Sequence, residues 1–165
     1  MIFDITTFTL IHTLISLIAI TAGLVVMGGL MAGKRLDGWV GLFLLTTALT
    51  SITGFGFPFT ALIASHYVGV ISLLILPPVI YARYQKHLLG SWRGVFVVGT
   101  ALTLYLNFFV LVVQLFRRVP ALLVSAPTQQ EPPFVVTQVL VMAMFAILSV
   151  AAFKKFPPQV VKPFQ

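Results

Sequence analysis

The chain has 165 residues, 59% hydrophobic and 8% charged, with ten Lys or Arg against three Asp or Glu. Soluble domains carry about 25% charged residues, so this chain has too little polar surface to cover a water-soluble globule and is read as one membrane domain, residues 1–165. The absence of cysteine excludes disulfides, thiolate nucleophiles, Cys-ligated zinc and iron–sulfur clusters. The cations lie at the ends of apolar runs, where bilayer topology explains them, so nucleic acid is not an expected partner.

Windows free of charge cover residues 5–33, 38–82, 94–116 and 132–153. The first is long enough for one crossing, expected at 8–33. Asp4 precedes it in place of a cationic segment, and no small-residue cleavage pattern follows, so a removable signal peptide is not expected. Gly29 and Gly33, with Gly28 and Gly23 nearby, offer a small-residue face on which another helix can pack closely.

The second window runs 45 residues, about 67 Å as continuous helix against a hydrocarbon core of about 30 Å. It must fold back. The break is expected at Gly54-Phe55-Gly56-Phe57-Pro58-Phe59, because glycine loosens a helix and proline lacks the amide to continue it. This gives spans two and three at 38–57 and 62–83. In span two, Thr46, Thr50 and Thr53 share one face and Thr47 and Ser51 the next, and helix packing is the expected role over a pore lining. Pro77-Pro78 should kink span three.

Span four, 94–116, places Thr100, Thr103, Asn107 and Gln114 on one stripe, which must face protein or water. An Asn amide inside hydrocarbon is costly unless paired, so Asn107 is expected to lock two helices together. The loop 117–133 follows, with Arg117 and Arg118 expected to contact lipid phosphate or another anion, and with an apolar stretch, residues 119–124, that suits a partner or the membrane surface. Span five is expected at 134–153, with Pro133 in its first turn, where the missing amide costs nothing.

The charges test the count. With five spans and the N-terminus outside, Lys34, Arg35, Arg83, Lys86, Arg93, Lys154, Lys155 and Lys162 lie inside and only Arg117 and Arg118 outside. If residues 38–82 crossed once, the split would be six against four, which carries no orientation signal. Trp39 and Trp92, with Tyr81 and Tyr84, then form an inner aromatic belt. The expected architecture is an all-α, five-span transmembrane bundle with its C-terminus in the cytoplasm.

Candidate chemistry is sparse. His12 and His66 each lie about four residues, roughly 6 Å, into spans one and three, a common depth that would let two imidazoles share a b-type haem among Phe8, Phe55, Phe57, Phe59, Tyr67 and Gly69. Hydrogen-bonded packing for His12 and an interfacial position for His66 after Ser65 are the expected alternatives, with His87 solvated in the inner loop. Asp4, His12, Ser65, His66 and Glu131 gather near the outer side, yet no short metal motif spaces them, and no metal site is assigned. The span interiors lack ionisable carboxylates and cations, and no inverted repeat is visible, which argues against a proton-coupled transporter.

Residues 34–39 (KRLDGW), 50–59 (TSITGFGFPF), 65–69 (SHYVG) and 126–133 (APTQQEPP) resemble a family of small bacterial multi-pass membrane proteins with no assigned activity. The resemblance implies a bacterial cytoplasmic membrane and supplies no role for any residue. The expected function is a non-catalytic accessory or partner-binding subunit, with a membrane-protein partner or a second copy of the chain. Two rival readings are a haem or quinone redox module on His12 and His66, and a facilitator for a small uncharged solute along the polar faces of spans two and four.

Overall fold

The computed structural model describes residues 5–57 and 64–158. Asp4, Pro58, Phe59, Lys162 and the side chain of Ser65 lie outside the described residues. Six α-helices follow one another: α1 (Ile5–Met31), α2 (Asp37–Thr53), α3 (Ala64–Tyr84), α4 (Trp92–Arg118), α5 (Pro120–Ser125) and α6 (Pro132–Lys155). A 3-10 turn, Gly54–Gly56, continues α2. All but α5 are long and apolar enough to cross a membrane. They correspond to the five expected spans.

The helices run a few residues past the charge-free windows. Asp37 opens α2, Arg83 lies in the last turn of α3, and Lys154 and Lys155 end α6. Asp37, Lys154 and Lys155 are exposed while their backbone is helical, so a charge does not mark the end of a helix. The basic residues in the last turns of α3, α4 and α6 also face unsatisfied carbonyls, which favour positive charge. Arg117 and Arg118, the two cations expected on the outer side, are the pair in the last turn of α4.

The α1–α2 connection is built by glycine. Gly33 adopts φ +70°, Lys34 N–H donates to Gly29 O at 2.8 Å and Gly33 N–H to Leu30 O at 3.1 Å, the paired bonds of a Schellman cap. Leu36 then folds back over Gly29, where a Cβ would lie 2.7 Å from Leu36 Cδ1. Gly33→Ala forces a side chain into the left-handed region and is expected to cost about 1 kcal/mol, read as a lower unfolding midpoint in detergent. An unchanged midpoint would mean that the cap does not hold this turn.

Packing order follows from where small residues permit close approach. α1 lies on α2, α4 and α6; α3 lies on α2 and α4; α4 is the central helix and also carries α5 and α6. Gly23 of α1 admits Leu104 of α4 and Phe43 of α2, and Gly99 of α4 admits Val79 of α3. Hydrocarbon offers no hydrophobic drive between apolar helices, so such contacts matter through dispersion and shape. The main core joins Val26, Phe43, Leu76, Val97, Leu104 and Phe145, closed at one end by Leu88 and Phe156 from the connections. α3 runs as continuous helix through Pro77 and Pro78, whose missing amides leave the carbonyls of Leu73 and Leu74 without their helical donors.

α5 docks on the far end of α4. Val112, Phe116 and Ala126 are buried together with Leu122 and Phe134 against them, and the Phe116 and Phe134 rings meet edge to face at 5.3 Å. Pro120 starts this short helix, as its preset φ allows. Val124 remains 82% exposed.

Candidate functional site

The polar residues of the bundle divide among its helix interfaces. Between α1 and α2, His12 Nδ1 lies 2.8 Å from Thr53 Oγ1. Thr53 spends its single hydroxyl proton on Leu49 O at 2.7 Å, so His12 must be the donor through Nδ1–H, and its Nε2 keeps the lone pair. One turn further along, Ser16 Oγ donates to His12 O at 2.8 Å and stands 2.5 Å from Thr50 Oγ1, which is left as donor to it. His12 and Ser16 thus align with Thr53 and Thr50 as two rungs joining antiparallel helices.

The other face of α2 meets α4. Asn107 Nδ2 donates to Thr47 Oγ1 at 3.2 Å, and Thr47 is fully buried. This realises the expected helix lock for Asn107. Polar bonds of this kind average about 0.6 kcal/mol and reach about 1.7 kcal/mol inside membranes. Asn107→Leu should lower stability by that order and Thr47→Val by no more, with the double variant costing about the same as the first. Fully additive losses would show that the two side chains act separately.

Thr100 and Thr103, on the same face of α4, are fully buried, and neither hydroxyl has a hydrogen-bond partner among the described residues. Gln114 does not join them: it accepts from Arg118 Nε at 3.3 Å near the end of α4. The expected four-residue stripe therefore separates into a buried part and an exposed terminal pair. Between α4 and α6, Gln138 Nε2 donates to Phe109 O at 3.2 Å. Gln138 escaped the sequence reading, although a lone amide in a 24-residue apolar helix was signal enough.

His12 and His66 lie at the same end of the bundle, against neighbouring residues of one turn. His12 meets Phe57 edge to face at 5.1 Å, and Phe57 in turn meets Phe8 at 5.0 Å. His66, 5% exposed, lies beside Phe55, ring centroids 5.9 Å apart. Gly69 leaves room for that ring, since a Cβ there would come within 3.3 Å of it. α1 packs mainly on α2, whereas α3 packs mainly on α4 and less on α2; the α2 terminus and the turn after it meet both imidazoles, through Thr53 and Phe57 for His12 and Phe55 for His66. Among the described residues, no three His, Asp or Glu side chains gather as a metal site would need.

The opposite end of the bundle is cationic and carries the ion pairs found among the described residues. Arg83, 6% exposed, binds Asp37 at the start of α2, and Arg35 Nε stands 3.7 Å from the same carboxylate. Lining residues of a small cavity here, about 10 Å³, include Lys34, Asp37, Arg83, Leu88 and Phe156, room for at most one water. Arg93 donates from Nη1 to Phe153 O at 2.8 Å and Phe156 O at 2.6 Å, capping α6 while stacking on the Phe153 ring at 4.5 Å. Lys86 sits over Tyr81 and Trp92, 5.5 and 6.0 Å from the ring centroids, and His87 is exposed beside it.

In the loop before α6, Glu131 accepts from Thr128 N–H and Oγ1–H at 3.1 and 2.8 Å and from Gln130 N–H at 3.1 Å. Desolvation pushes its carboxyl upward, but the donated bonds, the Thr128 hydroxyl foremost, together outweigh it and hold the group below the ordinary carboxylate range. A depressed folded value means that the loop is most stable with Glu131 ionised and loses that support as acid protonates it. Gln129 takes φ +61° and donates from Nε2 to Val113 O at 3.0 Å, tying the loop to α4. Comparison of the chain with protein-family models, with curated proteins and with solved structures finds no match in any of the three.

Proposed function

We propose that this chain is an integral protein of a bacterial cytoplasmic membrane, crossing it five times with its N-terminus outside and its C-terminus in the cytoplasm, and that it serves as a non-catalytic, partner-binding subunit. The observation that carries the functional part is how its polar side chains are used. His12, Ser16, Thr47, Asn107, Gln138 and Arg83 each bind a different helix. Groups held this way are fasteners: a catalytic or ligand-binding role would have to break the bonds that hold the bundle. The orientation rests on charge, because Lys34, Arg35, Arg83, Lys86, Arg93, Lys154 and Lys155 all lie at the end formed by the α1–α2 and α3–α4 connections and the α6 terminus, as a cytoplasmic face requires.

The partner surface in this reading is the α5 loop at the outer end, where Leu123 and Val124 are 41% and 82% exposed on a helix tied down by Ala126 and Gln129. A photo-reactive amino acid at Val124 should give one discrete adduct with a membrane protein, the chain should elute from mild detergent as part of a larger particle, and Leu123→Gln with Val124→Gln should abolish both. A strictly monomeric particle without an adduct would contradict the reading. The haem alternative has its own readout: purified protein with a b-type Soret band that disappears in His12→Ala and His66→Ala would replace the present proposal.

A further inference from the structure

Several of the cations at the cationic end of the bundle are already committed. Arg83 is matched by Asp37, Arg93 by the carbonyls of Phe153 and Phe156, and Lys86 by two aromatic faces. Lys34, Lys154 and Lys155 are different. All three are exposed, and among the described residues no carboxylate pairs with them. Of the two acids described, Asp37 is engaged by arginine and Glu131 lies at the other end of the bundle, inside its own turn.

The fold brings these lysines together. The Schellman cap turns the chain so that Gly33 abuts α6, with a Cβ at Gly33 lying 3.5 Å from Lys155 O and 3.5 Å from Pro157 Cδ. Lys34 is the next residue. The α1–α2 turn and the α6 terminus thus carry uncompensated positive charge side by side.

A ligand for this corner must be an amphiphile. Val150 and Ile147 lie four and seven residues before Lys154, on the same face of α6, and are 55% and 69% exposed. Charge at the helix end and an apolar track leading from it match a phosphate headgroup with its acyl chain. We propose that Lys34, Lys154 and Lys155 form a site for an anionic phospholipid, headgroup on the lysines and chain along Val150 and Ile147. The site rests on the membrane insertion proposed above.

The test uses the full-length protein, titrated in mild detergent with phosphatidylglycerol or phosphatidylcholine and read by native mass spectrometry of retained lipid. Each lysine near a membrane surface contributes about 1 kcal/mol to anionic-lipid attraction, roughly fivefold in binding. Wild type should therefore prefer phosphatidylglycerol, each of Lys34→Gln and Lys155→Gln should reduce that preference several-fold, and the triple Lys→Gln variant should remove it. Lys34→Arg with Lys154→Arg and Lys155→Arg should restore it, and Arg117→Gln with Arg118→Gln at the other end should leave it intact. Soluble glycerol phosphate should not displace the lipid; displacement would assign the corner to free phosphate and overturn the lipid site. Equal retention of both lipids, or preference surviving the triple variant, would also overturn it. Alkaline carbonate extraction of membranes separates the two failures: protein that washes off refutes insertion, whereas protein that stays but shows no preference refutes only the lipid site.

Discussion

Asp37→Asn will destabilise this protein by about 3 kcal/mol, the lower end of the cost of breaking a buried ion pair. Arg83 is the reason. Its guanidinium is 6% exposed, drawn into the bundle by the inward face of α3, which also buries Ser72, Leu76 and Val79. Asp37 is 64% exposed and loses little solvation, and its place at the start of α2 adds the favourable field of unpaired helix amides. Removing the carboxylate leaves a buried charge that faces the Tyr84 ring, 5.6 Å away, without its anionic partner. Arg83→Met alone leaves an exposed carboxylate, which costs less, and the double variant should recover most of the loss. The difference is measurable as unfolding midpoint or resistance to denaturing detergent. A loss under about 1 kcal/mol for Asp37→Asn would place the pair among surface ion pairs.

Gly99→Ala should cost about 1–3 kcal/mol, the usual penalty for overpacking a close contact. A methyl group at Gly99 would collide with Cγ2 of Val79, and Val79 is 1% exposed and, being β-branched, has no alternative rotamer readily available in a helix. α3 and α4 would have to separate. Val79→Ala opens the missing space, so the pair of substitutions should restore stability beyond the sum of the single effects. Gly28, where an added Cβ meets nothing within 4 Å, serves as the control, and Gly28→Ala should be neutral or mildly stabilising. Equal losses at Gly28 and Gly99 would mean that close packing is not what the glycine provides.

The helices were legible in the sequence because bilayer thickness and charge leave few solutions. The turn near Gly54 follows from the length of one uncharged window, and the α5 loop from its position between two spans. Individual partners were less legible. Asn107 announces that it needs a partner, but only the fold selects Thr47, because the choice depends on how α2 and α4 rotate against each other. Arg83 reads as one more cytoplasmic cation. That it lies inside the bundle, 46 residues from the carboxylate it meets, depends on α3 packing on α2. The histidines were read as a pair from their spacing to the expected span starts, but the helices begin at Ile5 and Ala64, seven and two residues before them. What the two imidazoles share is the end of α2, which spacing along α1 and α3 does not announce.

The account depends on successive connections alternating between the two sides of the bilayer. Because the chain contains no cysteine, single cysteines introduced at Ser125 in the α5 loop and at Gln85 in the α3–α4 connection can be labelled in intact cells with a membrane-impermeant maleimide. Labelling at Ser125 without permeabilisation, and at Gln85 only after it, is the predicted result. Both sites labelled from the same side, or the two accessibilities reversed, would contradict it.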